Sequence, residues 1–262
     1  MADGGDNFLA HKDMAVCARQ QVVAIGRVRT PFGEKFGIPR QAGLAPAAVG
    51  EVILTPPFDR DEMVKGLTKF SHIWLIFLFD QAMAEGWRPQ VRPPRLGGRE
   101  KVGVFASRSP HRPNYLGMSV VRLLGLSRQS EQSAGGLTLH VAGIDLLDET
   151  PLIDIKPYLP ASDSVATATD NFLTSPSPPL AVMIDQQVEQ FCQQYQNESG
   201  RNLRQLLMEC LACDPRPASQ RDGREFGMRL WDVNIRFRVC NGKAEALCCE
   251  KLRDRPAHQS GS

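Results

Sequence analysis

The chain has 262 residues, of which 42% are hydrophobic and 23% are charged, and its formal net charge is +2 at pH 7. This composition is typical of a soluble globular protein, and no apolar run reaches the roughly 18 residues that a membrane span needs. The seven cysteines are an odd number, which argues against a disulfide framework and for a reduced, cytoplasmic protein. Cys210 and Cys213 have the spacing of a metal-binding pair, but no second pair follows at metal-site spacing, so no metal site is predicted.

The small net charge hides a strong local asymmetry. Residues 86–122 contain eight lysines or arginines against one acid, whereas residues 144–200 contain nine acids against one lysine. A local excess of positive charge is typical of a surface that binds an anion, nucleic acid included. The alternative interpretation is an ordinary solvated surface.

In chain order, residues 1–19 are predicted to be a loose tail, because they contain no apolar segment of secretory type. Short strands follow at 20–29 and 50–55, and a short helix is predicted at 59–67. The continuous aromatic and aliphatic run 70–79 predicts a strand buried on both faces. After a loop rich in proline, glycine and arginine, further strands are predicted at 100–107, 117–125, 137–146 and 151–157.

About seven short strands with little helix before residue 160 predict an all-β barrel or sandwich rather than alternating strands and helices. No GxGxxG motif follows a strand, which disfavours a dinucleotide-binding fold. The proline- and serine-rich segment 161–180 is predicted to be a linker between two domains.

Beyond this linker the apolar residues recur with a helical period. One helix is predicted directly after the linker, and a second, leucine-rich helix is predicted at 203–211. The second helix ends at Asp214-Pro215, because a residue that precedes a proline disfavours the helical conformation. The first of these two helices is predicted to carry four apolar residues on one face, namely Ile184, Val188, Phe191 and Tyr195.

The last part of the chain returns to strand. Residues 233–239 alternate between apolar and polar, which predicts a half-buried strand with a largely basic outer face. Asn241-Gly242 then predicts a hairpin turn. The predicted fold class is therefore mostly β, with an N-terminal β domain at 20–160 and a small α+β domain at 181–262.

The most informative segment is 103–119, which begins as a predicted strand and continues as a polar loop. Within eight residues the loop contains two arginines, a histidine, two serines and an asparagine. Pro110 and Pro113 restrict its backbone and remove two donors. A stiff loop with many donors suits a carboxylate or a phosphate, because guanidinium groups bind both bidentately. The alternative is a solvated basic turn.

Five ordered stretches of the sequence together match one known pattern, namely 25–32, 36–44, 66–74, 103–119 and 145–158, and 214–217 and 231–239 extend the match into the C-terminal part. On these stretches the chain resembles the TrmO (TsaA-like, formerly YaeB) family. Members of this family are S-adenosylmethionine-dependent methyltransferases that act on N6 of N6-threonylcarbamoyladenosine, the modified purine 3′ of the tRNA anticodon. The resemblance implies a closed β-barrel at 20–160, a homodimer, bound S-adenosylmethionine and a tRNA substrate that already carries this nucleoside.

The resemblance also implies which residues contact the cofactor. A sulfonium cation needs an acid or a carbonyl, an amino-acid carboxylate needs an arginine or free N–H groups, and adenine needs an apolar slot. Asp80 would face the sulfonium or the amino group, Arg40 or Arg108 the carboxylate, and Met118 with Leu152 the adenine. The full implied set is Pro39, Arg40, Gln41, Asp80, Gln81, Arg108, Met118, Thr150, Pro151, Leu152 and Ile153.

Two departures from the family pattern concern turns. The family's usual Asp-Gly-Thr-Pro is Asp148-Glu149-Thr150-Pro151 here, so a turn that needs positive φ would be strained at Glu149. The family's usual Asn-Pro-Ile-Gly is Asn114-Tyr115-Leu116-Gly117, which loosens one turn and keeps the asparagine and the glycine. Neither departure removes an implied contact.

Methyl transfer to a weakly nucleophilic N–H needs close placement, and a base would raise the rate by about 10²–10⁴-fold. His111, in the donor-rich loop, is the first candidate for this base. His72 is the second, although its place at the start of a buried strand is more typical of a core histidine. Asp154 is the third, and its alternative role is an ion pair with Lys156 or Arg112.

Five arginines are candidate phosphate contacts, each with an ordinary surface arginine as the alternative. Contacts of this kind would make tRNA affinity fall steeply with salt. Two other functions are open: a barrel that binds S-adenosylmethionine or RNA without methylating, and methylation of a different substrate. The candidate phosphate contacts are Arg88, Arg92, Arg95, Arg236 and Arg238.

Overall fold

The N-terminal part of the chain is a closed β-barrel. The structure, a computed structural model, describes residues 21–93, 100–128, 136–169, 178–216 and 222–252. Its first eight strands are β1 (Gly26–Arg29), β2 (Val49–Leu54), β3 (His72–Leu78), β4 (Gln90–Val91), β5 (Val102–Gly103), β6 (Leu116–Arg128), β7 (Leu137–Ala142) and β8 (Pro151–Pro157). Six of them form the barrel in the order β1-β2-β7-β6-β3-β8, and β4 pairs with β5 beside it. The predicted closed barrel is confirmed.

Alternation of side chains between the two faces of each strand builds the barrel core. In β3, Ile73, Leu75 and Phe77 are buried inside the barrel, whereas the residues between them are only half-buried. The prediction that 70–79 is buried on both faces is therefore wrong for the outer face. Apolar side chains on that face reflect partial cover by neighbouring elements, which a continuous apolar run does not distinguish from full burial.

Short helical segments interrupt the barrel connections. They are α1 (Asp61–Val64), α2 (Asp80–Met83), α3 (Pro160–Asp163) and the 3₁₀ turns Leu67–Lys69 and Val104–Ala106. The strand predicted at 100–107 is confirmed only at Val102–Gly103, because β5 pairs with the two-residue β4 alone and the chain then turns. Gly117 is required where β6 pairs with β3 at Phe77, since a Cβ atom on residue 117 would lie 2.3 Å from the Phe77 ring.

The C-terminal part is a four-stranded sheet with two helices. Its elements are β9 (Ala181–Ile184), α4 (Gln186–Ser199), α5 (Leu203–Ala212), β10 (Glu225–Leu230), β11 (Val233–Cys240) and β12 (Lys243–Lys251). The sheet order is β10-β11-β12-β9, and β9 runs parallel to β12. The predicted α+β character is confirmed, although β9 and β10 were not predicted.

Local caps explain where the two long helices begin and end. The Asp185 side chain accepts a hydrogen bond from the Val188 N–H at 2.8 Å, so α4 begins after Asp185. Ile184 therefore ends β9 and does not belong to the helical face predicted for it. Gly200, at φ +73°, ends α4, and the Asn202 side chain caps α5.

The loop between β1 and β2, residues 30–48, connects the barrel to the C-terminal sheet. Phe36 stacks on Phe226 and Phe237 at ring-centroid distances of 6.1 and 6.2 Å. The Trp231 N–H donates to the Pro31 carbonyl at 2.7 Å. Buried residues of both parts belong to one continuous hydrophobic core. This loop therefore holds residues 37–47 against both parts of the molecule.

Candidate active site

A cleft of about 300 Å³ opens where β3 leaves the barrel. The end of β3 and α2 form one wall, the loop at 107–115 a second, and residues 145–150 with the β1–β2 loop the rest. The lining is mainly apolar with a few ionisable groups, which is typical of a small-molecule site. The lining residues are Lys35, Ile38, Phe77, Leu78, Phe79, Asp80, Gln81, Ala82, Pro110, His111, Asp145, Leu146, Leu147 and Thr150.

Asp145 is the most unusual ionisable group of this cleft. Burial raises the pKa of its carboxyl, although hydrogen bonds from Ser119 and the Ala42 backbone and the charge of Arg108 act in the opposite direction. Its Oδ1 atom is buried and makes no hydrogen bond within the described part of the chain. A buried carboxylate oxygen without a donor is costly, so this atom marks a place where a ligand donor can bind.

Sequence reasoning assigned no function to Asp145. The only local feature that could have singled it out is an acid between Ile144 and Leu146, two positions that prove to be almost completely buried. The Ser119 hydroxyl comes from β6, and Ala42 from the β1–β2 loop, so the surroundings of Asp145 depend on three distant segments.

The donor-rich loop uses several of its polar groups to fix its own shape. The Ser107 hydroxyl donates to the Val104 carbonyl at 2.9 Å, and the Ser109 and His111 N–H groups bond to serine hydroxyls within the loop. Arg112 donates to the Ser107 carbonyl at 3.2 Å. Arg108 and His111 are then the loop side chains whose described polar contacts lie with other segments.

The PRQ segment at 39–41 lies between the cleft and the C-terminal sheet. Arg108 donates to the Gln41 side-chain carbonyl, which joins two residues of the implied cofactor set. Arg40 instead donates to the carbonyls of Asp214 and Arg216, at 3.4 and 3.1 Å. Pro39 is buried. The structure thus brings Gln41 and Arg108 together and directs the Arg40 guanidinium to the C-terminal loop.

The other residues of the implied cofactor set have different surroundings. Asp80, Gln81 and Thr150 line the cleft. Leu152 is fully buried in the barrel core, and the Met118 side chain is 57% exposed. Pro151 and Ile153 are half-buried in β8. Leu152, Met118, Pro151 and Ile153 are not among the described residues that line the cleft.

One carboxylate at the mouth of the cleft lies near a lysine, an arginine and a histidine. Glu85 lies 3.9 Å from the Lys35 Nζ, 3.4 Å from an Arg88 nitrogen and 3.6 Å from the His111 Nε2. The His111 Nδ1 lies 3.3 Å from the Gly86 carbonyl, and the side chain is only 18% exposed. Lys35 and Glu85 were not singled out by the sequence, which contains many residues of both types.

The other two candidate bases lie away from this cleft. His72 is at the opposite end of β3, about 20 Å from Leu78 at the usual rise per residue, and its Nδ1 is 2.9 Å from the Ser71 hydroxyl. Asp154 is exposed on the outer face of β8, and its Oδ1 accepts from the Ile155 N–H. The structure therefore brings His111 to the cleft and does not bring His72 or Asp154 there.

The candidate phosphate contacts fall into two groups. Arg88 and Arg92 are exposed near the cleft, and Arg95 lies outside the described residues. On β11, Arg238 is 2.7 Å from Glu245, and Arg236 is 3.9 Å from Glu225 and 3.2 Å from the Cys248 sulfur. The predicted basic face of β11 is therefore lined by acidic partners.

The strained turn expected at Glu149 is present. Glu149 has φ +63°, a left-handed conformation that a non-glycine residue adopts at a cost. Its carboxylate lies 3.0 Å from Arg27 and 3.7 Å from Arg29. The glutamate thus gains two ion pairs that a glycine would lack, and the turn that places Thr150 in the cleft is kept.

Over the segments that the structure describes, no three His, Cys, Asp or Glu side chains form a group that could hold a metal ion. No helix in those segments is long and apolar enough to span a membrane. Cys210 is buried on α5, and burial raises the pKa of the thiols of Cys210 and Cys213.

Comparison with known proteins agrees with this architecture. The family model described as the tRNA-methyltransferase O N-terminal domain matches residues 27–164, and the TrmO C-terminal domain model matches residues 177–252. A crystal structure of TrmO from Pseudomonas aeruginosa superposes with a TM-score of 0.75 at 39% identity, covering 89% of this chain and 99% of the other.

Two curated relatives are similar over most of the chain. The tRNA (adenine(37)-N6)-methyltransferase of Escherichia coli is 40% identical over 234 residues, which are 88% of this chain and 97% of the relative. A Pseudomonas aeruginosa protein named "Putative S-adenosylmethionine-dependent methyltransferase RcsF" is 49% identical over 222 residues, 82% of this chain and 91% of the relative. With both domain models matched in order around the same barrel and sheet, the chain belongs to the tRNA-methyltransferase O family.

Proposed function

We infer that this protein is an S-adenosylmethionine-dependent tRNA methyltransferase that methylates N6 of N6-threonylcarbamoyladenosine 3′ of the anticodon. Membership of the family supports the reaction class. The observation that carries the inference in this molecule is the apolar cleft with the buried, unpartnered Oδ1 of Asp145. Such a carboxylate is kept at a cost in stability, which binding of a cationic cofactor would offset.

The cleft residues fit S-adenosylmethionine. Asp145 and Asp80 would face its two cationic groups, the ammonium and the sulfonium, because a carboxylate beside a cation recovers the cost of burial. Arg108, fixed by Gln41, would bind the amino-acid carboxylate. The aromatic rings of Phe77 and Phe79, which pack edge to face at 5.1 Å, form an apolar wall suited to adenine.

The rest of the implied cofactor set is part of the same proposal. Thr150 would present its backbone to the cofactor, because its hydroxyl already donates to the Leu147 carbonyl at 2.7 Å. Met118 would do the same, since its side chain is exposed outside the barrel. Pro39, Arg40, Gln81, Pro151, Leu152 and Ile153 complete the proposed set and would act by shaping the walls behind these contacts.

Bound S-adenosylmethionine supplies an electrophilic methyl group, and the protein must supply placement and a route for the N6 proton. We propose His111 as the base. When its Nδ1–H donates to the Gly86 carbonyl, the Nε2 lone pair is left to accept a proton. His72 and Asp154 remain weaker candidates, because neither is among the described residues that line the cleft.

We propose that the tRNA backbone crosses the surface beside the cleft. Arg92, and Arg95 in the same arginine-rich segment, would contact phosphates, and Arg88 would contact the RNA at the mouth of the cleft. Arg236 and Arg238 are also proposed as contacts, although acids beside both of them reduce the expected contribution of each. The domain at 181–262 would then reach the tRNA through this sheet face, on the far side of the proposed linker at 161–180.

We also propose that the protein is a cytoplasmic homodimer. The outer face of β6 carries three exposed apolar side chains, Leu116, Met118 and Leu124, and Phe105 nearby is 78% exposed. Exposed apolar residues grouped on one face are typical of protein–protein interfaces.

Nucleoside mass spectrometry tests the proposed reaction. The protein would be incubated with S-adenosylmethionine and tRNA that carries N6-threonylcarbamoyladenosine, and the tRNA would then be digested. We expect a gain of one methyl group on that nucleoside and none in tRNA that lacks the modification. Absence of the gain, with cofactor binding measured in the same sample, would direct the search to another substrate.

A further inference from the structure

We propose that Lys35 and Arg88 bind the threonyl carboxylate of the modified nucleoside, and that Glu85 occupies this site until the substrate replaces it. This inference rests on the proposed function. It names the group of the substrate that the mouth of the cleft recognises.

The first argument is the geometry around Glu85. Its closest contacts to Lys35, Arg88 and His111 are 3.9, 3.4 and 3.6 Å. A charge-assisted hydrogen bond is normally about 2.7–2.9 Å long. Glu85 therefore lies near two cations, Lys35 and Arg88, and the His111 ring, and it forms a close bond with none of them, so a better placed carboxylate can replace it.

The second argument is the contrast with ion pairs elsewhere in the molecule. Arg204–Glu189 and Arg238–Glu245 pairs are 2.7 Å long, and Arg216–Asp214 is 2.9 Å long. In each of these, a carboxylate makes the close contact that Glu85 lacks. Loose pairs also occur on the exposed surface, as in Arg29–Glu149 at 3.7 Å and Arg236–Glu225 at 3.9 Å. Glu85 differs from these because it lies near Lys35, Arg88 and His111 at once, with a close bond to none of them.

The third argument is location. Lys35 and His111 both line the cleft that holds Asp80 and Asp145. The cleft therefore has carboxylates in its wall and cations at its mouth, which suits a cationic cofactor and an anionic substrate together. Arg88 and Glu85 are not among the described residues that line the cleft and lie at its rim, since the Arg88 N–H donates to the His111 carbonyl and Glu85 contacts Lys35. A carboxylate on a nucleoside inserted in the cleft would meet them there.

The same exchange explains how His111 becomes available. Its Nε2 faces Glu85 at 3.6 Å in the substrate-free protein. When the substrate carboxylate takes Lys35 and Arg88, Glu85 moves away and Nε2 is left free to accept the N6 proton. Binding of the substrate carboxylate would thereby be coupled to the proposed base.

The test compares two anticodon stem-loop RNAs, one with N6-threonylcarbamoyladenosine and one with its carboxamide, in binding to the full-length protein with S-adenosylhomocysteine. We expect the carboxamide RNA to bind about tenfold or more weakly. Arg88→Gln and Lys35→Gln should lower the affinity for the carboxylate RNA and leave the affinity for the carboxamide RNA nearly unchanged. Glu85→Gln should bind the carboxylate RNA about two- to fivefold more tightly, because the competing charge is gone.

Arg92→Gln is the matched control, since Arg92 is a proposed phosphate contact that is exposed and outside the Glu85 cluster, and its loss should weaken binding of both RNAs equally. If Arg88→Gln lowers the affinity for both RNAs equally, Arg88 contacts a backbone phosphate and the proposal is overturned. If Arg88→Gln or Lys35→Gln binds S-adenosylhomocysteine more weakly, these residues bind the carboxylate of the cofactor, and the proposal is again overturned. Equal binding of the modified and an unmodified RNA would contradict the proposed function, whereas preference for the modified RNA without carboxylate discrimination would contradict this inference alone.

Discussion

The charged side chains around Arg216 and Arg238 in the C-terminal domain are closely paired, whereas charged side chains in and beside the cleft lack close partners. Around Arg216, Asp214 and Asp222 each lie 2.9 Å from the guanidinium, and Arg238 has Glu245 at 2.7 Å. In the cleft, no described residue donates to the buried Oδ1 of Asp145, and Glu85 lies 3.4 Å or more from Lys35, Arg88 and His111. Satisfied charges stabilise a fold, and unsatisfied charges in a cleft are typical of a binding site.

The largest effect is expected from Asp145→Asn. The neutral amide cannot replace a carboxylate beside a cationic group, so the affinity for S-adenosylmethionine should fall by about 10- to 100-fold. Isothermal titration calorimetry measures this change. Asp154→Asn is the matched control, because Asp154 is exposed on the outer face of β8, and its cofactor affinity should stay within about twofold of the wild-type value. An equal loss in both variants would remove the distinction between the two carboxylates.

Arg216→Gln should be the most destabilising of the charge substitutions. The side chain is 12% exposed, bridges Asp214 and Asp222, and its backbone carbonyl accepts from Arg40. Its removal takes the cationic partner from two carboxylates, which keep only backbone N–H donors, so the free energy of unfolding should fall by about 1–2 kcal/mol. Urea unfolding measures the change. Arg236→Gln, at an exposed pair, should be indistinguishable from wild type, and a similar loss in both variants would contradict the comparison.

The pH dependence of stability should also distinguish Asp145. Because burial raises the pKa of this carboxyl, the folded state keeps its proton at a pH where the unfolded chain has released it. Between the ordinary aspartate pKa of about 4 and the raised folded-state value, wild-type stability therefore falls relative to Asp145→Asn as pH rises, by up to about 1.4 kcal/mol per pH unit. Thermal unfolding of both proteins from pH 3 upward, without cofactor, checks this. Parallel curves would show that Asp145 ionises normally.

The smallest effect is expected from Glu149→Gly. Glycine relieves the left-handed strain at φ +63° but loses exposed ion pairs with Arg27 and Arg29, so the net gain should be about 0.5–1 kcal/mol. Glu149→Ala separates the two contributions, because it keeps the strain and removes the ion pairs, and it should be no more stable than wild type. If alanine stabilises as much as glycine, backbone strain is not the cause.

Most of the barrel could be predicted because its pattern is local. Period-two alternation and proline or glycine at the strand ends place β2, β6, β7 and β8 within a few residues of the observed strands. The prediction of a strand at 100–107 was wrong beyond Val102–Gly103, because the length of a strand depends on its partner and β4 has only two residues. The prediction that Ile184 lies on a helical face was wrong, because the Asp185 cap decides where α4 begins.

The charge pattern of the C-terminal hairpin shows what a sequence can indicate when register is local. The turn at Asn241-Gly242 places Arg238 opposite Glu245, so the pairing that reduces the basic face could have been deduced from the hairpin. The pairing of Arg236 with Cys248 could not have been deduced, because the strand register shifts between Arg236 and Phe237. Basic residues counted along the chain therefore overestimate the charge available to RNA.

By itself the sequence determined a mostly β N-terminal part, the α+β part that follows it, and the family resemblance, which implied the closed barrel and the cofactor. These depend on short-range periodicity, turn residues and motifs. Only the tertiary structure decided that Asp145 is buried without a full set of partners, that Glu85 lies near Lys35, Arg88 and His111, and that Arg40 bonds to the C-terminal loop. The physical reason is that burial and charge compensation bring together segments that are distant in sequence, such as Ala42 with Asp145 and Arg40 with Arg216, and no local pattern encodes the distance between them.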